Sequence, residues 1–210
     1  MTLTSDLFPE TAPTEELPLE DADVSYLRRW VSAESAAQLL QQLITTIPWR
    51  AEHIVLWGKP VLQPRLIAWY GDAGANYTYS GVLHRPLPWT PVVQQIKREV
   101  EAASGCLFNS VLLNYYRDHR DGMGMHSDDE PELGDRPVIA SVSLGEERTI
   151  VFRHKRRKEL KPVRFRLASG SLLLMRGDTQ RNWKHGIDKQ ARPCGPRVNL
   201  TFRRIGNPSP

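Results

Sequence analysis

The sequence predicts an α+β fold that is mainly β, with two helices followed by short strands packed as an antiparallel sandwich or open barrel. Two observations predict it. Apolar residues recur at helical spacing in two early segments, and from Phe108 onward Val, Ile, Phe and Leu form short runs bounded by Gly, Pro and Asp. The chain has 210 residues and no internal repeat, so we expect one domain with a sizeable core.

Both helices carry recognisable end signals. The first is expected to begin after Ser32 as its N-cap and to stop before Pro48. The second is expected to begin at Thr90 and Pro91 and to end by Gly105. The predicted buried positions are Ala36, Leu39, Leu40, Leu43 and Ile47 in the first helix, and Val92, Val93, Ile96 and Val100 in the second.

The second half of the chain is predicted to be built from strands, with turns at Gly145 and Gly170. The predicted strands cover residues 110–116, 138–144, 149–153, 163–167, 171–175 and 197–205. Residues 134–137 and 193–196 are rich in Gly and Pro, and we expect them to form loops.

The charge of the chain is divided unevenly. Residues 1–23 contain seven acids and no Lys or Arg, with little apolar periodicity, and are expected to form a mobile acidic tail. The formal net charge is +4, so residues 24–210 carry +11. Such a basic domain suits a polyanionic partner such as nucleic acid, although a solvated basic surface has the same composition.

The two cysteines, Cys106 and Cys194, are not arranged as a CxxC pair, which favours a reducing, cytoplasmic compartment over a disulfide framework. No run approaches the roughly 20 apolar residues that cross a bilayer. We see no secretory signal at the N-terminus, so no membrane association is expected.

A His-x-Asp motif suggests a metal site. His126 and Asp128 are two residues apart, so in extended backbone both side chains point to the same face. His185 is the candidate for a third ligand. Two histidines and one carboxylate leave coordination positions open for substrate and O₂, which suits iron(II), although zinc accepts the same ligands.

The last predicted strand is polar on one face. Strict alternation places Arg197, Asn199, Thr201 and Arg203 on the face opposite Val198, Leu200 and Phe202. Asn114 and Tyr116 share one face of another strand in the same way. Two arginines, an amide and a phenol near an open metal site suit a small dicarboxylate that also chelates the metal, whereas a solvated edge strand is the alternative.

Over residues 54–205 the sequence closely resembles the AlkB dioxygenases, which use iron(II) and 2-oxoglutarate to dealkylate nucleic acids. The likeness is strongest to the DNA-repairing members of the homologue-two type. The segments that carry it are YGDAG (70–74), YTYS (77–80), LNYY (113–116), HSDDE (126–130), ASVSLG (140–145), VFRH (151–154), GSLLLM (170–175) and RVNLTFR (197–203).

The resemblance implies a double-stranded β-helix, or jelly roll, supported by the N-terminal helices. Residues 24–107 would supply helices and a nucleotide-recognition lid, and residues 108–205 the jelly-roll core.

The implied iron ligands are His126, Asp128 and His185. His154 competes with His185, but its neighbours Lys155, Arg156 and Arg157 would repel a cation; His119 lies in a charged loop. The implied 2-oxoglutarate residues are Asn114, Tyr116 and Arg197 at the distal carboxylate, Arg203 at the chelating end, and Thr201.

The resemblance also implies contacts with a flipped base. Tyr77, Tyr79 and Ser80 would belong to the lid, with Tyr79 and His126 enclosing the base and Glu130 accepting a hydrogen bond from its exocyclic amine. Trp57 would fill the gap in the duplex, where a phenylalanine is the expected aromatic. The basic run would contact phosphates through Arg153, Lys155, Arg156, Arg157 and Lys158. A solvated hairpin tip is the alternative for that run.

The implied activity is oxidative demethylation of 1-methyladenine and 3-methylcytosine in DNA by a monomer. O₂ and 2-oxoglutarate would be consumed, and formaldehyde released. Three alternatives remain open: a dioxygenase of the same kind acting on RNA, protein or a small molecule, a non-catalytic module that recognises damaged DNA, and a metal-dependent hydrolase.

Overall fold

The computed structural model describes residues 14–56, 58–75, 77–79 and 82–206, and for 54–56, 77–79 and 82–84 the backbone alone. The strands in these residues are β1 (Thr14–Glu16), β2 (Asp23–Leu27), β3 (Arg50–Leu56), β4 (Lys59–Gly71), β5 (Tyr77–Tyr79), β6 (Val82–His84), β7 (Ser110–Tyr116), β8 (Met123–His126), β9 (Ile139–Gly145), β10 (Arg148–His154), β11 (Val163–Leu167), β12 (Ser171–Arg176), β13 (Trp183–Ile187) and β14 (Arg197–Arg203). The helices are α1 (Ala33–Thr46), α2 (Pro91–Ser104) and α3 (Thr179–Asn182). None of the described helices is long and apolar enough to cross a membrane.

The two longer helices begin and end where the sequence predicts. The Ser32 side chain accepts a hydrogen bond from the Ser35 backbone N–H, and Ile47 is extended because Pro48 follows it. In α2 the Thr90 hydroxyl accepts from the Val93 backbone N–H at 3.4 Å. That helix ends at Gly105, whose φ of 68° is left-handed and therefore favours glycine.

Two antiparallel sheets form the body of the protein. The larger has the strand order β1-β2-β12-β9-β14-β7-β4-β3, and the smaller has the order β11-β10-β13-β8. Strands β5 and β6 form a separate hairpin. One core lies between the larger sheet and helices α1 and α2, and a second lies between the two sheets. This arrangement confirms the prediction of a mainly β jelly roll supported by helices.

Strand β12 shows how the larger sheet serves both cores. Its residues Leu172 and Leu174 belong to the core under the helices, whereas Leu173 and Met175 belong to the core between the sheets. Strand β14 has the same alternation, but its face toward the smaller sheet is polar. The central strands β9, β12 and β14 are therefore buried on both faces, and the β14 arginines lie inside the protein rather than at a solvated edge.

The strands predicted at 110–116 and 163–167 have the bounds that the structure shows. Three others differ by one residue, at both ends in β9 and β10 and at one end in β12. Strand β14 stops at Arg203, two residues before the predicted end, because the Ile205 backbone N–H donates to the Asn109 side chain instead of to a sheet neighbour. Strand β4 was not predicted, since Pro60 and Pro64 argue against a strand. Pro64 lies where the β3–β4 register shifts, so no ladder bond is lost there.

The structure differs from the predicted division of the chain. Residues 14–23 lie within the fold rather than in a mobile tail, because β1 pairs with β2 and the side chains of Leu17 and Leu19 are buried between the sheets. The rest of the proposed tail, residues 1–13, is outside the described residues. Strands β2 and β4 also belong to the larger sheet, so the segment 24–107 supplies part of the jelly roll itself.

Candidate active site

Three potential metal ligands converge between the sheets. His126 ends β8, Asp128 follows two residues later, and His185 lies on the neighbouring strand β13, directly opposite His126 in the strand pairing. Their candidate ligand atoms all lie within 4.8 Å of one another. His185 Nε2 is 3.7 Å from Asp128 Oδ2, and the two imidazole rings are 4.4 Å apart. The structure therefore brings together the three residues that the sequence proposed.

The hydrogen bonds of the triad leave its metal-binding atoms available. His126 Nδ1 lies 3.0 Å from the Gly124 carbonyl oxygen, which can only accept, so Nδ1 carries the proton and Nε2 keeps its lone pair. Asp128 Oδ1 accepts from Arg203, whereas Asp128 Oδ2 is buried without a hydrogen-bond partner among the described residues. This donor set fits a divalent metal that the protein binds on one face, with the other coordination positions open, and such a site suits iron(II).

The charges of the site keep both buried ligands in the forms that bind metal. Burial by itself raises the pKa of Asp128, but the charges of Arg203, and then of His126 and His185 when they are protonated in acid, outweigh it and lower that pKa to about 2. Burial, and then the charge of His126, lowers the pKa of His185 to about 3. At neutral pH the carboxylate is therefore ionised and the His185 imidazole is neutral.

A partly open cavity with polar and apolar lining, the inner chamber, lies beside the triad. Its polar lining includes Tyr116, Ser141, Arg197, Asn199, Thr201 and Arg203. Arg197 is fully buried and donates to the Ser143 hydroxyl at 2.9 Å, but its Nε and Nη1 have no partner in the described part of the chain. Burial lowers the pKa of this guanidinium. A buried arginine with unused donors fits a carboxylate of 2-oxoglutarate.

Asn114 adds a further donor beside this chamber. Its strand pairs with β14 so that Asn114 lies opposite Asn199 and Tyr116 lies opposite Arg197. Asn114 Oδ1 accepts a 2.7 Å hydrogen bond from Arg65 Nε, while Asn114 Nδ2 is buried with no partner in the described residues. Thr201 donates to Asn199 Oδ1 within the same polar face. The predicted co-substrate residues therefore lie together.

A second cavity, the outer chamber, lies beside His126 and Asp128. It is lined by Glu52, Gln63, Arg65, Ile67, Trp69 and Leu112, together with Met123, His126, Asp128 and Arg203, which also line the inner chamber. His126 and Asp128 thus line both spaces, whereas His185 lines the inner chamber.

The comparisons with known proteins agree with this geometry. A family model described as "2OG-Fe(II) oxygenase superfamily" matches residues 23–203. Human "DNA oxidative demethylase ALKBH2" is 41% identical over 195 residues, which cover 89% of this chain and 74% of that protein. This chain belongs to the AlkB family of 2OG-Fe(II) oxygenases. The triad and the inner chamber fit the iron(II), 2-oxoglutarate and O₂ that this superfamily uses.

A second type of AlkB protein is equally similar. Mouse "Alpha-ketoglutarate-dependent dioxygenase alkB homolog 3" is 41% identical over 184 residues, and the chain spans 64% of the length of that relative. A solved structure described as "The structure of OsALKBH1" covers 91% of this chain with a TM-score of 0.65 and 16% identity, which shows the shared fold. Sequence identity therefore does not separate the homologue-two and homologue-three types for this AlkB chain.

Several predicted base-binding residues of this AlkB protein cannot be placed. Trp57 and Ser80 lie outside the described residues. Tyr77 and Tyr79 lie in β5, which pairs with β6 as a hairpin, so the predicted extended backbone is present, but their side chains are not described. Glu130 lines a large surface cleft beside the triad, and its Oε2 is buried without a partner in the described residues. Their roles in binding a base remain predictions.

The basic run lies at the end of β10 and in the loop that leads to β11, as the sequence predicts. Its five cations are not equivalent. Lys155 donates to Asp129 and to the Gln180 carbonyl oxygen, and Arg157 pairs with Glu20, Asp21 and Glu159. Arg153, Arg156 and Lys158 are exposed. The acidic N-terminal segment of this AlkB chain thus neutralises part of the proposed phosphate-binding surface.

His154, the competing metal ligand, has a different role in the fold. Its Nδ1 accepts hydrogen bonds from the backbone N–H groups of Arg156 and Arg157, and its ring packs edge-on against Trp183. It is not part of the described cluster of potential metal ligands. His154 therefore shapes the basic loop.

Sequence reasoning missed two residues that support the site. Gln180, in the short helix α3, accepts a 3.0 Å hydrogen bond from the Asp128 backbone N–H and so holds the ligand loop. Arg65 donates to Asn114 and lines the outer chamber. No periodic pattern marks either residue, although an arginine inside the apolar strand β4 was a signal that a buried polar partner exists.

Proposed function

We propose that this chain oxidatively demethylates N-alkylated bases in DNA, with 1-methyladenine and 3-methylcytosine as substrates. Decarboxylation of 2-oxoglutarate is coupled to hydroxylation of the methyl group, which then leaves as formaldehyde. The observation that carries the proposal is that His126 and Asp128 line two cavities whose other walls differ in chemistry. One chamber suits a dicarboxylate, and the other suits a flat, partly apolar ligand such as a nucleobase.

Different residues would hold the iron, bind 2-oxoglutarate and enclose the base. His126, Asp128 and His185 would hold the iron, which supplies, with 2-oxoglutarate and O₂, the power to oxidise a C–H bond. Arg197 would bind one carboxylate of 2-oxoglutarate through the donors that it does not use within the protein. Ile67, Trp69 and Leu112 would exclude water from the face of the bound base.

Two further observations support nucleic acid as the substrate. A base must leave the helical stack before its substituent can approach a buried metal site, and Ile67, Trp69 and Leu112 give the outer chamber an apolar wall for it. Arg153, Arg156 and Lys158 are exposed on the basic run and suit phosphate contacts. The human and mouse ALKBH2 relatives are named as DNA oxidative demethylases, which favours DNA over RNA.

We propose a monomer in the cytoplasmic compartment, where free cysteines such as Cys106 and Cys194 remain reduced.

The experiment that tests the proposal is a repair assay. The chain is incubated with iron(II), 2-oxoglutarate, ascorbate and oligonucleotides that carry one 1-methyladenine or 3-methylcytosine, as single-stranded DNA, duplex DNA and RNA. Loss of the methyl group is followed by mass spectrometry, and formaldehyde and succinate are measured beside it. Reactions without 2-oxoglutarate, and with Asp128→Ala, are the controls.

The outcomes separate the alternatives. Methyl loss from DNA with matching formaldehyde supports the proposal, and methyl loss from RNA alone replaces DNA by RNA. Succinate without methyl loss from any oligonucleotide points to a protein or small-molecule substrate. Selective binding of damaged DNA without succinate or methyl loss would identify a binding module and overturn the proposed activity.

A further inference from the structure

Gln63 has an unsatisfied hydrogen-bond acceptor in the wall of the outer chamber. It lies on β4, its side chain is buried at 3% exposure, and it lines the same cavity as His126 and Asp128. Its Oε1 has no hydrogen-bond partner among the described residues. A buried amide oxygen without a partner is costly, and such groups in native proteins usually have a functional reason.

The surroundings of Gln63 leave that oxygen to a ligand. Ile67, Trp69 and Leu112 offer mainly apolar surface to the chamber. The two arginines of the chamber wall already donate elsewhere, Arg65 to Asn114 and Arg203 to Asp128. Glu52 also lines the chamber, but it already has an interaction of its own. A ligand in the chamber therefore binds more tightly when it presents an N–H donor to Gln63 Oε1.

We propose that Gln63 is a specificity-determining residue, which accepts a hydrogen bond from the exocyclic amino group of the alkylated base. The inference rests on the proposed function, because it assigns the outer chamber to the base. In 1-methyladenine and 3-methylcytosine the ring carbon on one side of the methylated nitrogen, C6 or C4, carries an amino group. In 1-methylguanine and 3-methylthymine the same carbon carries a carbonyl oxygen, which would face the Gln63 oxygen without a hydrogen between them. These two pairs are called the amino-bearing and the carbonyl-bearing lesions.

The role differs from the one that the sequence predicts for Glu130. Glu130 lines the surface cleft rather than the outer chamber, whereas Gln63 lies beside the metal ligands themselves. A site that is built to pair with an N–H group discriminates strongly against ligands that lack one, because its own buried acceptor then stays unpaired. Gln63 therefore separates amino-bearing from carbonyl-bearing lesions.

The test compares four oligonucleotides of one sequence, each carrying one of these four methylated bases. Gln63→Met keeps the length of the side chain but removes its hydrogen bond, and Gln63→Glu keeps an acceptor. Gln41→Met, at an exposed position of α1, is the matched control. Binding is measured by fluorescence anisotropy without iron, and kcat/KM is measured with the complete reaction. Thermal melting confirms that each variant is folded.

We expect Gln63→Met to reduce the preference for amino-bearing over carbonyl-bearing lesions by about tenfold, in binding as well as in kcat/KM. Gln63→Glu should keep the preference, and Gln41→Met should change nothing. If Gln63→Met lowers affinity and kcat/KM by the same factor for all four lesions, Gln63 only packs against the ligand, and the inference is overturned. If Gln63→Glu weakens binding of the carbonyl-bearing lesions alone, the Gln63 amide acts as a donor, and the inference is overturned too.

The binding arm separates this inference from the proposed function. If the wild-type chain repairs no lesion but its binding preference depends on Gln63, the demethylase proposal fails and the recognition role stands. If the wild-type chain repairs the lesions and Gln63→Met leaves the preference for amino-bearing over carbonyl-bearing lesions unchanged in binding and in kcat/KM, the recognition role alone fails. Equal binding of all four lesions by the wild-type chain, without repair, would overturn both.

Discussion

Arg203 Nη2 lies 2.6 Å from Asp128 Oδ1, and Nε of the same guanidinium lies 3.1 Å from that oxygen. Both side chains are only 3% exposed. Because Oδ1 is engaged, Oδ2 is the oxygen that remains for a metal, and it lies on the side of His185. A residue predicted to contact the co-substrate thus orients a metal ligand as well.

We expect Arg203→Met to weaken metal binding by about 10- to 100-fold, because Asp128 loses the hydrogen bonds that orient it. Titration of the metal-free chain with Co(II) measures the affinity directly. Arg204→Met, at the next and exposed position, should bind Co(II) as the wild-type chain does. Unchanged or tighter binding in Arg203→Met would mean that the positive charge of Arg203 repels the metal more than its hydrogen bonds help.

His185 should make the metal-free protein less stable as the pH falls. Its pKa in the folded chain is lowered to about 3, below the unfolded value of about 6.5. Below about pH 6.5 the unfolded chain takes up a proton that the folded chain does not, so the free energy of unfolding decreases as the pH falls toward 3. The steepest slope is about 1.4 kcal/mol per pH unit. Asp128 adds its own loss only below about pH 4, since its carboxylate is ionised in both states above that.

Urea unfolding at pH 6 and pH 5 in the presence of a chelator tests this slope. His185→Gln should lose less stability between these two values than the wild-type chain. His119→Gln, which removes a partly exposed histidine, should behave like the wild-type chain. Equal losses in all three proteins would assign the pH dependence to other groups.

Arg65 should contribute to 2-oxoglutarate binding through Asn114. Its Nε donates to Asn114 Oδ1 at 2.7 Å, which directs the amide so that its nitrogen remains a free donor. We expect Arg65→Met to weaken 2-oxoglutarate binding by about tenfold, the effect of one hydrogen bond to a charged group. Calorimetric titration of 2-oxoglutarate into the Mn(II)-loaded chain measures it. Arg65→Lys should restore part of the affinity, and unchanged affinity in Arg65→Met would remove this role.

The basic run should contribute unequally to DNA binding. Arg156 is exposed, whereas Arg157 is paired with Glu20 and Asp21. If Arg156 neutralises a phosphate, Arg156→Gln should reduce the slope of log K against log salt by about 0.9 on duplex DNA. Arg157→Gln should reduce it less, because that cation already has anionic partners. Anisotropy titrations at several salt concentrations measure the slopes.

A double variant, Glu20→Gln with Asp21→Asn, provides the reverse test. It removes two of the three acidic partners of Arg157 and should strengthen DNA binding while it steepens the salt dependence. Arg28→Gln, at an exposed arginine that pairs with Glu147 outside the basic run, is the control for the loss of one positive charge in Arg156→Gln. Equal slopes for Arg156→Gln and the wild-type chain would show that the basic run is a solvated loop.

The sequence alone determined the features that depend on residues close together in the chain. The ends of α1 and α2 follow from the caps Ser32 and Thr90 and from a following proline or glycine, because these contacts span only a few residues. The alternation of β14 likewise predicted that Arg197 and Arg203 share one face, since successive side chains of a strand point to opposite sides. With the His-x-Asp motif, these local rules marked His126, Asp128 and the polar face of β14. His185 was a candidate for the third ligand, which the resemblance to the AlkB family singled out.

The tertiary structure decided what depends on pairing between distant segments. The register of β13 against β8 places His185 opposite His126, and the fold of β4 brings Gln63 and Arg65 to the metal ligands. The ion pairs of Arg157 with the N-terminal acids, which divide the basic run, also join residues far apart in the chain. Such contacts arise only when the sheets close around a shared core, so no local pattern encodes them.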